Sequence, residues 1–335
     1  MKIIIPMAGR GTRLRPHTLT VPKPLIPIAG KPMVQRIVED LTAGYQGQVD
    51  EIAFVIGDFG KEVENELVDI AGRFGAEGKI YYQTQPLGVA HAIGCASESL
   101  TGNVFIAFSD TLFKADFQFD LNEDGVIWVK KVEDPSSFGV VKTSRENIIT
   151  DFVEKSPVFV SDLAIVGLYY VREGELLRDE IRRIIAGNIK DKGEFQITSV
   201  LENMKNAGSR FRAAGIEEWL DCGNKENIIE TNRRMLEIKR SKEVLHAGSA
   251  HIENAIVIEP CFIGEDARIV NSVIGPYTSV GHKSVIENSI IKNSVIQNDT
   301  CVRNAMFSDS MVGSHVNYEG RVPDISIGDY TTFKE

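Results

Sequence analysis

The residues best suited to chemistry lie near the start of the chain, in the stretch 2–25. An apolar run at residues 3–5 predicts a buried strand, and a turn with Gly9 and Gly11 follows it directly. Such a join directs backbone N–H groups toward one point, which suits an anion. The cations Arg10, Arg13, Arg15 and Lys23 come next, among prolines at 16, 22 and 24. The prolines favour a loop over a helix, so the stretch predicts a triphosphate-binding site.

Two commoner phosphate-binding motifs do not fit this stretch. A Walker loop requires Gly-Lys-Ser/Thr four residues after its first glycine, and no such run follows Gly9. A dinucleotide fingerprint requires a third glycine where Leu14 stands, and an acidic residue ending the next strand. An ordinary turn with surface cations would leave the segment 22–24, Pro-Lys-Pro, unexplained.

The elements that must position this loop alternate along the first 110 residues. Apolar spacing predicts strands at 52–56, 79–83 and 104–108, and helices from Pro32, around 63–74 and at 89–99. Such alternation predicts an α/β domain with a Rossmann-like, mostly parallel sheet that binds ligands at its carboxyl edge. From Gly125 onward, shorter apolar runs predict antiparallel strands of a second lobe, with helices near 173–186 and 195–207.

The last third of the chain is a repeat. Aliphatic residues recur every five or six positions from Ile263 to Val302, and Asn-Ser-Val/Ile-Ile begins at 271, 288 and 293. This period resembles the hexapeptide repeat of a short left-handed parallel β-helix, here of about four coils. We therefore expect a catalytic domain at 1–223, a connector helix at 224–246 and a β-helix domain at 247–335. We expect the β-helix to serve in oligomerisation, which would give a homo-oligomer, or in capping.

Composition limits the function of the whole chain. The 335 residues are 43% hydrophobic and 25% charged, with a net charge of −10, which argues against a nucleic-acid partner. The cysteines at 95, 222, 261 and 301 contain no Cys-x-x-Cys pair and fit a reducing cytosol. The sequence shows no signal peptide and no apolar run of membrane length. We therefore expect a cytoplasmic protein without a membrane partner.

The loop motifs resemble one enzyme family. The run 9–16, Gly-x-Gly-Thr-Arg-Leu-x-Pro, followed by Pro-Lys-Pro-Leu at 22–25, resembles the signature of sugar-1-phosphate nucleotidyltransferases. The resemblance covers the first two-thirds of the chain, and it is closest to the glucose-1-phosphate thymidylyltransferase group. It implies nucleotide contacts at Ala8, Gly9, Gly11, Thr12, Arg13, Gln83 and Gly88. In this reading Gln83 contacts the base edge and Gly88 lets the backbone approach the ring.

The resemblance also implies a metal site. Asp110 follows the apolar strand 104–108, and Asp221 lies ahead of the connector helix. The family usually has glycine where Ser109 stands, but the aspartate remains. A helix cap is the ordinary role for Asp221, and Asn224 is better placed for that cap. Two carboxylates that share an ion with substrate phosphates suit Mg²⁺.

The sugar phosphate is expected on the second lobe. By resemblance, Glu154 holds sugar hydroxyls, Lys155 reaches the phosphate, and Gly139, Gly167 and Tyr169 line the sugar pocket. Lys192 stands where relatives often carry Arg, and a second phosphate contact and a solvated surface lysine are equally expected there.

The implied reaction is attack of a sugar-1-phosphate oxygen on the α-phosphate of a nucleoside triphosphate, with release of pyrophosphate. The nucleophile is already an anion, so the reaction requires positioning and charge neutralisation by Arg13, Lys23 and the metal on Asp110. The Gln83 amide matches thymine, uracil and guanine alike. Other motifs favour dTTP with glucose-1-phosphate, with UTP tolerated, whereas Pro24 is typical of mannose-1-phosphate guanylyltransferases. A UTP-dependent uridylyltransferase is a further alternative.

Two rival functions come from other classes. Hexapeptide β-helices often carry acyltransferases, and His251, His282 and His315 are available, but about four coils are few for that activity. A regulatory homologue that binds sugar nucleotides tends to lose the catalytic cations or the carboxylates. Arg13, Lys23 and Asp110 are all present here, which favours an enzyme.

Overall fold

The computed structural model describes residues 1–45, 47–115 and 120–321. The chain divides into two compact units, the first formed by Met1–Ile26 and Lys31–Asn227, the second by Pro27–Gly30 and Ile228–Glu335. The division falls inside one helix, Lys225–Lys239. A separate connector at 224–246 therefore stays a prediction, and residues 322–335 of the predicted β-helix domain lie outside the described residues.

The strands up to residue 221 are named here in chain order. They are β1 Lys2–Pro6, β2 Pro27–Ile28, β3 Lys31–Pro32, β4 Glu51–Ile56, β5 Glu77–Tyr82, β6 Val104–Ala107, β7 Thr111–Lys114, β8 Gly125–Lys131, β9 Gly139–Thr143, β10 Ile149–Glu154, β11 Leu163–Val171, β12 Phe211–Gly215 and β13 Glu218–Asp221. The helices are α1 Met33–Gly44, α2 Lys61–Arg73, α3 Val89–Cys95, α4 Gly174–Ala186, α5 Ile197–Asn206 and α6 Lys225–Lys239.

The half of the main sheet that contains β1 is parallel, as predicted. Its strands follow the order β6-β1-β4-β5, and each neighbouring pair runs parallel. Ile3, Ile4 and Ile5 of β1 are fully buried, and every residue of β4 is buried. Burial on both faces explains why these strands are continuous apolar runs rather than alternating ones.

The predicted antiparallel strands extend this same sheet. β11 pairs antiparallel with β6, which places Leu168 opposite Ala107. β9 and β8 then pair with β11, and β10 pairs with β9. The sequence did not predict β12, which runs parallel to β8. Its residues, Phe-Arg-Ala-Ala-Gly, carry neither the alternation nor the branched side chains that mark a strand.

Two helices end earlier than their apolar spacing predicted. α3 ends at Cys95 instead of residue 99. After Cys95, the backbone N–H groups of Ala96 and Ser97 donate to carbonyls three residues earlier, which is a tighter turn than an α-helix has. α6 ends at Lys239 instead of residue 246, because the Lys242 N–H bonds to the Lys239 carbonyl at 2.8 Å and tightens the chain into a turn. None of the helices in the described ranges is long and apolar enough to cross a membrane.

The second unit is a left-handed β-helix, as predicted. Its strands are β14 His251–Glu253, β15 Ile256–Val257, β16 Phe262–Ile263, β17 Arg268–Val270, β18 Val273–Ile274, β19 Ser279–Val280, β20 Val285–Glu287, β21 Ile290–Lys292, β22 Val295–Ile296, β23 Cys301–Arg303, β24 Met306–Ser308, β25 Met311–Val312 and β26 Asn317–Glu319. Every third strand stacks in parallel, which gives three sheets in the orders β14-β17-β20-β23-β26, β15-β18-β21-β24 and β16-β19-β22-β25. The repeated aliphatics at 263, 269, 274, 280, 286, 291, 296 and 302 form its buried interior.

The repeated asparagines form corners of this β-helix. Asn271, Asn288 and Asn293 adopt left-handed φ values of 50°, 50° and 43°. Asparagine tolerates this conformation better than most residues do. The Asn271 amide also accepts a bond from Asn254 at 2.7 Å and donates one to Asn288 at 3.2 Å. These amide contacts tie successive coils together along one edge.

The stacked interior predicts a clear difference between two isoleucines. Ile274 is fully buried between Val257 and Ile291 of the adjacent coils, whereas Ile256 on the neighbouring coil is 62% exposed. Ile274→Ala should lower the free energy of unfolding of the second unit by about 2–5 kcal/mol through lost burial and a cavity. Ile256→Ala is the matched control and should change it by about 0.5 kcal/mol or less. Hydrogen exchange of peptides from 250–305 measures both, and equal effects would contradict the assignment.

Candidate active site

The glycine turn after β1 has a left-handed residue at Gly11 and a close contact with Lys23. Gly11 adopts φ +58° and caps a short 3₁₀ turn at Thr12–Leu14. Its carbonyl accepts bonds from the Leu14 N–H at 3.0 Å and the Thr18 hydroxyl at 2.8 Å. A Cβ on Gly11 would lie 2.9 Å from the Cβ of Lys23. Glycine is therefore required both by the backbone conformation and by the approach of Lys23.

This loop forms one wall of a cleft of about 370 Å³. The lining brings together six residues predicted from the sequence: Gly9, Gly11, Thr12, Arg13, Lys23 and Asp110. Val89, Phe108 and Ser109 complete the side formed by α3 and the end of β6. Ala8 lies next to the cleft, with its carbonyl against Gly57 at the end of β4. The cleft therefore lies at the carboxyl ends of the parallel strands, where such sheets bind ligands.

An ion pair joins the two walls of the cleft. The Lys23 ammonium lies 2.8 Å from Asp110 Oδ2. The Lys23 side chain is only 10% exposed, while the Asp110 side chain is 42% exposed. Arg13 stays exposed in the same cleft. The site therefore presents one ion-paired ammonium and one exposed guanidinium, and both are groups that bind phosphates in proteins.

Of the two predicted metal ligands, Asp221 ends β13 and Asp110 directly precedes β7. β7 and β13 pair antiparallel with Asp221 opposite Thr111, the residue after Asp110. The Cys222 N–H also donates to the Asp110 carbonyl at 3.3 Å. Asn224 accepts the Asn227 N–H at 2.8 Å and thereby caps α6, as expected, whereas the Asp221 carboxylate accepts a bond from the Asn227 amide.

The donor chemistry of this pair fits a divalent cation that shares its ligands with a substrate. Within 1–45, 47–115 and 120–321 no group of three or more His, Cys, Asp or Glu forms a complete protein cage. Mg²⁺ is usually held by one or two carboxylates together with phosphate oxygens and water. Asp110 and Asp221 would supply those carboxylates.

The nucleotide-side motif after β5 includes a residue that sequence analysis missed. The Gln83 amide nitrogen lies 3.1 Å from the Gly88 carbonyl and 3.1 Å from His91 Nδ1. Gly88 has φ +116°, and a Cβ there would lie 2.6 Å from the Phe195 carbonyl oxygen. The close backbone of Phe195 therefore requires glycine at position 88, whether or not a base also approaches it. His91 follows Gly88 by three residues, and this helical spacing in the sequence could have identified it as a neighbour of the motif.

The predicted sugar-side residues cluster at the end of β10. Gly139 and Glu154 are opposite each other in the β9–β10 pair. The Glu154 carboxylate accepts the Thr198 hydroxyl at 2.9 Å and lies 3.5 Å from the Lys155 ammonium. A Cβ on Gly139 would lie 3.1 Å from that carboxylate, so glycine leaves the room it occupies. The sequence did not identify Thr198.

Gly167 and Tyr169 both contact Phe108, which lines the cleft. The Phe108 N–H donates to the Gly167 carbonyl at 2.9 Å, and a Cβ on Gly167 would lie 2.7 Å from the Phe108 ring. The Phe108 and Tyr169 rings pack at 5.6 Å. Tyr169 is 2% exposed, and burial together with the Glu154 carboxylate raises its pKa far above the usual value. Its hydroxyl therefore stays protonated behind the cleft-lining Phe108.

Lys192 lies on the surface, and its side chain contacts the backbone of the sugar-side turn. Its ammonium donates to the backbone carbonyls of Glu154, at 2.9 Å, and of Lys155. Lys155 itself has a left-handed φ of +39°. Lys192 thus holds the turn that carries Lys155, and a direct phosphate contact stays a prediction.

Comparison with known proteins identifies the class that this fold and site define. A profile of the nucleotidyl transferase family matches residues 2–238. A glucose-1-phosphate thymidylyltransferase of Streptomyces griseus is 30% identical over 309 residues, covering 86% of this chain and 84% of that protein. The catalytic subunit beta of mannose-1-phosphate guanylyltransferase from Xenopus tropicalis is 31% identical over 284 residues, covering 79% and 74%.

A solved structure shows the same fold. It is described as a glucose-1-phosphate thymidylyltransferase of Bacillus anthracis, with a TM-score of 0.59, 21% identity, and coverage of 72% of this chain and 96% of that one. The chain belongs to the nucleotidyl transferase family, and it is a sugar-1-phosphate nucleotidyltransferase.

Two of the β-helix histidines considered for an acyltransferase have contacts within the β-helix. His251 lies 3.1 Å from Glu253, and His282 Nδ1 accepts the Glu265 N–H at 3.0 Å.

The glycine turn predicts different effects on stability for substitutions at Gly11 and Gly9. Gly11→Ala forces a left-handed alanine against Lys23 and should lower the free energy of unfolding by about 1–2 kcal/mol. Gly9 lacks the positive φ, and an added Cβ there meets no described atom within 4 Å. Gly9→Ala is therefore the matched control and should leave stability within about 0.5 kcal/mol. Urea denaturation of both variants measures the difference, and a neutral Gly11→Ala would contradict the packing argument.

Proposed function

We propose that the protein joins dTTP to glucose-1-phosphate with Mg²⁺ as its cofactor, releasing pyrophosphate. The observation that carries this proposal is the cleft in which Arg13, Lys23 and Asp110 meet the glycine turn. Its cations line the same cleft as the glycine turn, a type of backbone join that suits a triphosphate. The predicted sugar-phosphate residues Glu154 and Lys155 lie next to each other at the end of β10.

The bond-forming step requires positioning more than acid–base chemistry. The sugar-phosphate oxygen attacks the α-phosphorus, the bond to the bridging oxygen breaks, and the leaving pyrophosphate carries the electron pair. Arg13 neutralises charge that builds on the pyrophosphate, and Lys23 contacts phosphates of both substrates. Because Asp110 fixes the Lys23 ammonium at 2.8 Å, this cation is in place before substrate binds. When bound by Asp110 and Asp221, Mg²⁺ supplies further charge neutralisation at the α-phosphate.

The choice of base and sugar is supported by the pocket residues and by one class of relative. Gln83, Gly88 and the Gly167–Tyr169 region most resemble thymidylyltransferases, and the Streptomyces griseus relative carries that name. Pro24 lines the cleft and favours the alternative, a guanylyltransferase for mannose-1-phosphate, the activity named in the Xenopus relative. UTP is tolerated in this proposal, because nothing identified in the site rejects a 2′-hydroxyl.

Steady-state assays with substrate pairs test the proposed specificity. Pyrophosphate release is measured with Mg²⁺ and each combination of dTTP, UTP or GTP with glucose-1-phosphate or mannose-1-phosphate. The proposal expects the highest kcat/KM for dTTP with glucose-1-phosphate, and UTP within about tenfold of dTTP, since a tolerated hydroxyl changes binding little. A higher kcat/KM for GTP with mannose-1-phosphate would replace the proposed substrates and leave the enzyme class unchanged.

The metal role is tested by Asp110→Asn and Asp221→Asn. Each change keeps the side-chain volume and removes an anionic ligand, so kcat should fall about a hundredfold or more, with a rightward shift in the Mg²⁺ dependence. Asp179→Asn on exposed α4 is the control and should behave like the parent. Circular dichroism checks folding of all three. Parent-like turnover by Asp110→Asn at ordinary Mg²⁺ would reject the assignment.

A further inference from the structure

The Gln83 side chain is held between two groups whose hydrogen-bonding roles can be determined. The Gly88 carbonyl accepts the Ala92 N–H at 3.1 Å in the first turn of α3, and a carbonyl can only accept. The Gln83 atom that lies 3.1 Å from this oxygen must therefore be the NH₂ group, not the amide oxygen. The neighbouring carbonyl thus fixes the orientation of the amide.

The same NH₂ group fixes the state of His91. It lies 3.1 Å from His91 Nδ1, so this ring nitrogen must accept the second amide hydrogen and cannot itself carry a proton. The ring is then neutral, with its proton on Nε2. Burial lowers the pKa of His91, which agrees with a neutral ring at physiological pH.

The backbone around this pair leaves little freedom for another arrangement. The Gln83 N–H donates to the Ile56 carbonyl at 2.8 Å, which anchors Gln83 at the end of β4. Gly88 is enclosed by Phe195, whose N–H donates to the Leu87 carbonyl at 2.9 Å and whose carbonyl accepts the Ala90 N–H at 2.9 Å. The two acceptors of the Gln83 amide are therefore held on a rigid part of the fold.

We propose that His91 is a positioning residue that makes Gln83 an acceptor-only reader of the nucleotide base. With both amide hydrogens engaged by Gly88 and His91, Gln83 Oε1 is the group offered to the base. This inference rests on the proposed function, in which Gln83 faces the base. The sequence alone leaves the whole Gln83 amide available to thymine, uracil or guanine, whereas this arrangement leaves only its oxygen available.

An acceptor-only reader selects one chemical class of base. Thymine and uracil present a ring N3–H, and guanine presents N1–H, so each can donate to Oε1. Where the ring nitrogen faces Oε1, cytosine N3 and adenine N1 are acceptors and share no hydrogen with it, and the amino group of either base reaches Oε1 only when the whole base shifts from that position. The site should therefore bind bases that carry a ring N–H beside a carbonyl and reject cytosine and adenine.

Two substitutions at His91 separate this role from simple packing. His91→Asn keeps an acceptor, Oδ1, at the place of Nδ1, whereas His91→Leu keeps bulk and removes the acceptor. Binding of UTP and CTP to the full chain is measured by calorimetry, with CTP in competition against UTP. These two ligands differ only in the base. KM for the triphosphate and for glucose-1-phosphate is measured alongside, with thermal unfolding as the folding check.

The expected result is that His91→Leu lowers the preference for UTP over CTP about tenfold, the value of one hydrogen bond, and raises the KM for the triphosphate. His91→Asn keeps the parent preference, and the KM for glucose-1-phosphate stays within about twofold in both variants. A parent-like preference in His91→Leu would overturn the inference. So would equal losses in the two variants with lowered unfolding temperatures, since that result indicates packing alone.

Gln83→Leu distinguishes failure of this inference from failure of the proposed base contact. If Gln83→Leu loses the UTP preference and His91→Leu retains it, Gln83 reads the base without the help of His91, and only the inference fails. If Gln83→Leu retains the preference, the proposed base contact fails and the inference fails with it. Catalysis is not needed for either comparison, because the readout is the ratio of two dissociation constants.

Discussion

The ion pair between Lys23 and Asp110 is the interaction on which the rest of the cleft depends. A lysine side chain that is 10% exposed requires a partner, because an unpaired charge at that depth is costly. The 2.8 Å contact to Asp110 meets this requirement and connects the loop after β1 with the end of β6. The charge needed for chemistry is thus also the charge that holds two distant segments together. Removing either partner would leave a partly buried charge and change the shape of the cleft at the same time.

Glycines let the surrounding backbone come close enough for this arrangement. An added Cβ would collide with the Lys23 side chain at Gly11, with the Phe195 backbone at Gly88 and with the Phe108 ring at Gly167. Each has a positive φ, so both conformation and space exclude a side chain. Parts of the cleft are therefore formed by backbone that passes within contact distance of its neighbours.

The sequence predicted the parts of the protein whose signal is local and repeated. Continuous apolar runs gave the parallel strands, and the five-to-six-residue period gave the coiled interior around Ile274. It did not predict β12, whose strand form depends on β8, a partner over 80 residues away in the chain. His91 and Thr198 were missed for a related reason, because only the fold brings them to Gln83 and Glu154. The end of α6 was placed too late, since apolar spacing does not report the turn that starts at Lys239. The roles of the site residues remain predictions.

The segment Pro27–Gly30 gives the chain an order of assembly. It lies directly after the turn that holds Lys23, yet it belongs to the second unit. The Ala29 N–H donates to the side chain of Asn232 at 2.9 Å, a bond that spans 203 residues, and Phe262 occupies the space beside Gly30. During synthesis these four residues leave the ribosome long before Asn232 and Phe262 are translated. The nascent enzyme must therefore wait for most of its chain to be translated before the segment following its phosphate loop can take its final place.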